Sequence, residues 1–450
     1  MASARNPYRP TPEQLALGEE RRRRKYLKQQ QASVNNVIDN NPPFLQRQWV
    51  ALPNAYTNTG VRSFKIMTWN LLAQSLIRSE LFPNSSKALK AAVREPMIHA
   101  EILSHQADIV CLQEVDRLER LLPALEKAGY DHTFAAGPGK KHGCLIAYRK
   151  DKFTKIQEQV LQYDHQQLRE DDTEHTAIGT SRTTKNIGSL IALGYRNADN
   201  DGVIVATTHL FWHPAYTYER ARQAAVLLKE TLEFRESLNP HIWPCIIAGD
   251  FNFAPDDPAY SLLVGEPLSQ TQERALDLSR VIHTSIDPTF FVEKKVVDDG
   301  EDAETDADRV ITNARPATPS DGLLSNMELV DLFAELKPLK SAYEEGQKVA
   351  VGIDPLSAQT SLFGQRKPAL PTKYGACEPM FTSYTHYWKT TLDYIFTLDA
   401  PDSDLQVTGY ISPHRVQDIE AGLPQAGICG SDHFSLCAEL HVVALGHDAQ

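Results

Sequence analysis

Eight apolar, β-branched runs punctuate the chain between residues 64 and 443, and six of the strand ends deliver a carboxylate, an amide or an imidazole. FKIMTWN (64–70) ends in Asn70, and ADIVCLQEV (107–115) carries Glu114 near its end. GVIVATTHL (202–210) brings His209, and PCIIAGDF (244–251) brings Asp250, with Asn252 just beyond. TTLDYIFTL (390–398) holds Asp393 just inside its start, and FSLCAELHVV (434–443) follows directly on Asp432 and His433. HGCLIAYR (142–149) and GSLIALGYR (188–196) complete the set. Runs of this length and composition predict strands. VREPMIHAEILSHQ (93–106) and YERARQAAVLLKETLEFRESL (218–238) predict amphipathic helices between them. The alternation predicts an α/β chain from Arg62 onward.

One polar strand end is a turn or a cap. In IIAGDFNFAP (246–255), Asp250 and Asn252 would point the same way if the strand continued. An Asp/Asn turn closed by proline fits the same letters. Six such ends in one chain differ in kind, because edge residues have no packing reason to be so chemically uniform. Carboxylates, amides and imidazoles converging on one rim make a site for a metal ion and a phosphate.

The net charge is −12; residues 1–31 carry +5 and residues 296–308 carry −7, which leaves the body near −10. Such a body does not bind nucleic acid by bulk electrostatics. It suits an acidic cleft that holds divalent cations, which in turn hold phosphate. No apolar run is long enough to span a bilayer, and the N-terminus lacks the apolar stretch of a signal peptide. Cys111, Cys144, Cys245, Cys377, Cys429 and Cys437 form no CxxC pair, which predicts buried free thiols in a reducing compartment. The expectation is a cytoplasmic or nuclear protein without membrane contact.

Residues 1–60 read as a basic extension, with Thr11-Pro12-Glu13-Gln14 opening a helix through RRRRKYLKQQQ. The arginines fit a nuclear signal, an RNA-contacting arm or a solvated helix. Glu19 and Glu20 count against a mitochondrial presequence. A catalytic domain is expected over 61–445, with insertions or loops at 162–182, 294–321 and 345–378, the second acidic and disordered. No internal repeat is present, leucine-rich repeats included.

The set MTWN, QE, TH, GDFN, LDYIF and SDH, in that order, resembles the endonuclease/exonuclease/phosphatase superfamily with its DNase I-like fold, over about Arg62 to Val443. The resemblance implies a four-layer sandwich of two packed, mixed, mostly antiparallel sheets flanked by helices. It also implies a Mg²⁺-dependent phosphodiesterase in which Mn²⁺ can substitute. Glu114 would anchor the metal, with Asn70 beside it and Asp432 near a second one. Asp250 would deprotonate the attacking water, and Asn252 would fix its geometry. His433, oriented by Asp393, would contact the phosphate, as would His209 and Asn186. Alone, His209 is as well explained as a satisfied strand-end histidine, Asp393 as a turn residue and Glu114 as a loop charge.

THLFWHPAYTYERARQ (208–223) is similar to the deadenylase, nocturnin and Angel branch, where a Trp-x-Pro follows the histidine. HGCLIAYRKDKF and SYTHYWKTTLDYIF match the same branch, with His142 replacing its usual acidic residue. Trp212 and Pro214, with Trp388, then bind substrate, Pro214 and Trp388 sandwiching a nucleobase; stacking contributes ~1–3 kcal/mol per base. The basic extension and the insertions look like those of the fungal Ngl-type RNA exonucleases. The implied activity is 3′→5′ exoribonuclease action on an RNA 3′ end, such as that of a 5.8S rRNA precursor. A poly(A) deadenylase, a nocturnin-like nucleotide phosphatase and a non-catalytic RNA-binding scaffold stand as alternatives. No protein partner is indicated.

Overall fold

The computed structural model describes residues 43–53, 62–170, 173–198, 200–238, 243–287, 310–353, 361–366 and 374–444. Phe44–Gln450 forms one compact unit; of the other, Met1–Pro43, only Pro43 is described. The arginine-rich helix, the acidic run 296–308 and His241 lie outside the described residues.

In chain order the strands begin with β1 (Trp49–Ala51), β2 (Arg62–Asn70), β3 (Ile109–Val115), β4 (Tyr130–Ala136), β5 (Gly143–Arg149) and β6 (Phe153–Gln162). They continue with β7 (Ile187–Tyr195), β8 (Gly202–His209), β9 (Cys245–Asp250), β10 (Val281–His283), β11 (Ala314–Pro316) and β12 (Lys340–Ser341). The last are β13 (Ser383–Tyr384), β14 (Lys389–Thr390), β15 (Asp393–Leu398), β16 (Ser403–Ile411) and β17 (Leu436–Ala444). One sheet runs β1-β16-β17-β2-β3-β5-β4 and the other β12-β15-β9-β8-β7-β6; β10/β11 and β13/β14 are small ribbons.

The sheets pack face to face. Along β9, Ile246 and Ala248 face the first sheet, among Ile66, Ile109 and Tyr148. Ile247, between them, faces the helices, among Ala224, Leu228 and Leu262. On the outer face of the first sheet, Val110 and Leu112 meet Ile98 and Ile102 of the helix Ala91–Ser104. Strands covered on both faces must be apolar without alternation, which is why their sequences are continuous apolar runs. The result is the four-layer α/β sandwich expected from the sequence.

Each sheet has one parallel pair at its centre, β2/β3 in one and β8/β9 in the other; every other pairing within the two sheets is antiparallel. Parallel neighbours end at the same edge. Asn70 is therefore in register with Gln113, beside Glu114, and His209 with Asp250. The antiparallel neighbour β15 starts where β9 ends, which sets Asp393 opposite Asp250. Gln113 ties the two layers together, donating to Thr68 (3.1 Å) and to Thr207 (3.0 Å).

Some expectations need correction. Trp49–Ala51 lies inside the segment read as an extension, yet it pairs with β16 and adds an edge strand. Its three residues are too few to show a period. The stretch read as a loop from residue 345 overlaps the helix Ala342–Ile353, whose two glycines and β-branched residues hide its periodicity. All six cysteines are free, and five are buried.

Candidate active site

The strand ends meet at one rim. Glu114 reaches it through an irregularity: its φ is 56°, and the β3/β5 register shifts between Leu112 and Val115. A bulge of this kind re-aims one side chain at the end of a ladder. Glu114 Oε1 accepts from Asn70 Nδ2 at 3.0 Å and Oε2 from the Ala73 N–H at 2.8 Å. Asn70 Nδ2 also donates to Asp250 Oδ2 at 2.8 Å, so one amide bridges carboxylates from two sheets. Asn70 Oδ1 accepts from the Leu72 N–H at 2.9 Å, which fixes the amide's orientation. Asn70 thus offers donors to the site, and its oxygen is engaged elsewhere. It orients Glu114 more readily than it ligates a cation.

Asp250 and Asn252 do not share a strand face. β9 ends at Asp250, and Asn252 has a left-handed φ of 53°. Asp250 Oδ1 accepts from the Asn252 N–H at 3.0 Å, an Asx turn. Its other oxygen faces the site, 3.6 Å from His209 Nε2 and 3.9 Å from His433 Nε2. The turn and the site are two uses of one carboxylate. Asn252 Nδ2 donates to the Leu210 carbonyl at 2.9 Å and so ties this turn to the loop after β8.

His433 Nδ1 lies 2.8 Å from Asp393 Oδ2. A carboxylate only accepts, so the proton sits on Nδ1. Thr382 Oγ1 donates to the same Asp393 oxygen at 2.6 Å and accepts from the Asp393 N–H at 3.0 Å. Trp69 Nε1 donates to the His433 carbonyl at 2.8 Å. Ser431 Oγ donates to the Asn70 carbonyl at 2.6 Å. Nothing in the sequence singles out Thr382, Trp69 or Ser431, because side chains of these types are common and none of these partners is a near neighbour in sequence.

Burial acts against the His433 imidazolium, but Asp393 and Asp250 outweigh it and hold its pKa well above the ordinary value. Burial, with Asp393 opposite, pushes Asp250 up to about 7. Burial pushes Asp432 up to about 6 and pulls His209 down to about 4. Burial would also raise Glu114; His209, the Asn70 amide and the Ala73 N–H outweigh it and leave Glu114 below the ordinary carboxylate value.

Asp250, Asp393 and His433 bring ligand-type atoms within 4.8 Å of one another. An imidazolium has no lone pair to give, so this trio fits a proton-handling role better than a metal cage. Glu114, with both oxygens carrying a single N–H each, keeps lone pairs for a hard cation. One or two carboxylates with the remaining positions left to water is the habit of Mg²⁺. Within the trio, Asp393 Oδ1 is buried without a hydrogen-bond partner, an acceptor to spare.

Asn186 reaches the rim, whereas Trp212 and Pro214 lie on the loop after β8 and Trp388 on the turn after β13. Asn186 Nδ2 donates to the His209 carbonyl at 2.6 Å, which leaves one amide hydrogen for a ligand. Trp212 is 52% exposed beside Phe211, with ring centroids 6.2 Å apart, and Pro214 is also exposed. Trp388 is half-buried in the turn between β13 and β14, where its N–H donates to Thr385 Oγ1 at 3.0 Å. Among the described residues no ring contact joins Trp388 to the 211–214 loop.

The model of the Endonuclease/Exonuclease/phosphatase family matches residues 67–433. A probable RNA exonuclease of Schizosaccharomyces pombe is 29% identical over 432 residues, covering 90% of this chain and 81% of that one. RNA exonuclease NGL2 of Saccharomyces cerevisiae is 29% identical over 489 residues, covering 96% and 89%. The solved structure of ANGEL2, a 2′,3′-cyclic phosphatase, shares the fold with a TM-score of 0.55 at 20% identity, covering 88% of this chain and 99% of that one. With a match that spans the whole rim from β2 to His433, the chain belongs to the endonuclease/exonuclease/phosphatase family, is similar to the Ngl-type RNA exonucleases, and is a hydrolytic enzyme.

Proposed function

We propose that this enzyme is a Mg²⁺-dependent 3′→5′ exoribonuclease that releases 5′-nucleotides. The observation that carries the reading is the pair of opposed groups at the rim. Asp250 is a carboxylate held near neutrality in pKa, and His433 is an imidazolium held charged, their reactive atoms 3.9 Å apart. A base near pKa 7 accepts a proton from water at neutral pH and can pass it on. Asp250 is therefore the base toward the attacking water, with Asn252 fixing the turn that aims it. His433 Nε2–H donates to a phosphoryl oxygen, while Asp393 sets the tautomer and the ring orientation. His209, neutral with its pKa near 4, offers a hydrogen bond without competing for the proton. Asn186 acts on the phosphate with its remaining N–H and steadies His209 with the other. Glu114, supported by Asn70 and with Asp432 nearby, would hold the divalent cation, which when bound supplies charge neutralisation on the phosphoryl oxygens and the leaving group. Trp212 offers a π-face to the terminal base.

The likeness to two RNA exonucleases over most of both chains supports RNA as the substrate. Hydrolysis of a small nucleotide is the second reading, because the ANGEL2 structure holds adenosine-2′,3′-vanadate. The test uses two 5′-labelled RNAs of equal length, one ending in adenosines and one in the mixed sequence of a 5.8S precursor, with Mg²⁺ or EDTA. A Mg²⁺-dependent ladder shortening from the 3′ end is expected on both. A ladder on the adenosine-ended RNA alone would make the enzyme a deadenylase, and no ladder on either would turn the reading to nucleotide hydrolysis.

A further inference from the structure

Three cations, Lys140, Arg182 and Lys185, lie on the segments that border the carboxylates. The strap Ser181–Asn186 runs beside the site and is fixed at every step. Ser181 N–H and Oγ donate to Glu219 at 2.9 and 2.8 Å. Thr183 N–H donates to Ser285 at 3.0 Å. Thr184 and Lys185 N–H groups donate to Asp164 at 3.0 and 2.7 Å. Asn186 ends the strap on the His209 carbonyl. The acids near the strap are therefore engaged with its backbone and hydroxyls, and Lys185, at a φ of 58°, stands exposed. Arg182 lies over the rings of Phe211 (5.2 Å) and Tyr216 (5.3 Å), next to Trp212.

The loop between β4 and β5 leans on the same strap. A Cβ on Gly137 would come within 1.9 Å of the Lys185 carbonyl and 3.2 Å of Lys140 Cδ, so glycine is required for this approach. The loop places half-buried Lys140 in the electrostatic reach of Glu114 and Lys185, and His142 with its ring 6.4 Å from that of His209. Among the described residues, Lys140, Arg182 and Lys185 have no carboxylate within ion-pair distance, whereas Lys152, Lys155, Arg149 and Arg169 each have one. A half-buried ammonium without a partner is costly until an anion arrives. In a chain of net charge −12, one such lysine with two further cations free of carboxylates beside it needs a reason.

We infer that Lys140, Arg182 and Lys185 form a track for the phosphodiesters that follow the scissile one along a single-stranded RNA, so that the site prefers a chain to a dinucleotide. The inference rests on the exoribonuclease reading. A basic groove that follows the backbone beside an aromatic platform is how single strands are held without reading sequence.

The test measures binding without turnover. Fluorescence anisotropy with the full chain, in EDTA, compares labelled oligoadenylates of eight and two nucleotides over a KCl series. The variant is Lys140→Gln with Arg182→Gln and Lys185→Asn. Each phosphate contact contributes about 0.7 to the log–log salt slope for a single strand. The eight-nucleotide RNA should lose at least about tenfold in affinity and about 2 in slope, while dinucleotide affinity stays within about twofold. Lys185→Asn alone, at an exposed left-handed position that suits asparagine, should lower the slope by about 0.7 and covers the case of a misfolded triple variant. An unchanged slope, or an equal loss on the dinucleotide, overturns the track. A missing 3′ ladder for the wild type in Mg²⁺ would sink the exonuclease reading instead, since the anisotropy needs no cleavage.

Discussion

Asp393, at the start of β15, and Asp250, at the end of β9, are direct cross-strand partners, both buried, and His433 contacts both. Two carboxylates so placed repel each other unless a cation or a proton intervenes. The imidazolium of His433 is that cation. The arrangement makes Asp393→Asn informative: the amide can present N–H toward Nδ1 and so disfavour the working tautomer. We expect kcat to fall by about 10²–10⁴-fold, in the range of lost acid–base assistance, with KM little changed. Steady-state kinetics on a short RNA, with circular dichroism as a folding control, checks this.

Glu114→Gln keeps the shape of the side chain and removes the charge that would hold a cation. Several kcal/mol of transition-state stabilisation are at stake, so turnover in Mg²⁺ should drop by about 10³-fold or more. The melting temperature of the wild type should rise with added Mg²⁺, and that of the variant should not. Cleavage at the wild-type rate would remove Glu114 from the metal assignment.

Trp212 contributes little to the core at 52% exposure. Trp212→Ala should leave the melting temperature unchanged and raise KM by about 10–100-fold, equivalent to ~1–3 kcal/mol of base stacking. A loss confined to kcat would argue that the ring does not touch the substrate.

Away from the site, Glu378 and Glu344 form a buried acidic pair. Tyr260 Oη donates to Glu378 at 3.0 Å, and the Cys377 N–H to Glu344 at 2.7 Å. Burial pushes Glu378 up to about 8, with Glu344 adding to the rise, and burial pushes Glu344 up to about 7. A folded-state pKa above the unfolded value gives stability that is complete below the ordinary carboxylate range and is lost as pH rises through 7 and 8. The wild type should therefore melt at progressively lower temperature from about pH 5 to pH 9. Glu378→Gln should flatten that slope and be more stable than the wild type by about 1–3 kcal/mol at pH 9. Denaturant titrations at several pH values decide it.

The chemical types at the strand ends made much of the site readable from sequence, because strand ends are set by local composition and the polar residues stand out against apolar runs. What could not be read was how those ends meet. Glu114 faces the rim through a bulge that no local pattern announces. The Asp250–Asn252 turn and the Asp250 site contact both exist, although the sequence offers them as separate readings. Arg94 is deeply buried on the helix Ala91–Ser104, and no local pattern distinguishes it from a solvent-facing helix charge. It donates to the carbonyls of Leu71, Leu72 (2.6 Å) and Gly430 (2.6 Å) and so joins the loops that follow Asn70 and precede Asp432. Such a clamp is visible only when segments some 340 residues apart are brought together.

The four groups Asn70, Glu114, His209 and Asp250 belong to the parallel pairs at the centres of the two sheets, while the loops 137–142, 181–185 and 210–216 only border them. The chemistry thus inherits the stiffness of the most buried strands, and the entrance is built from parts that can be exchanged. A lineage could retailor which phosphoester is admitted by rewriting those borders alone, with the hydrolytic floor left untouched.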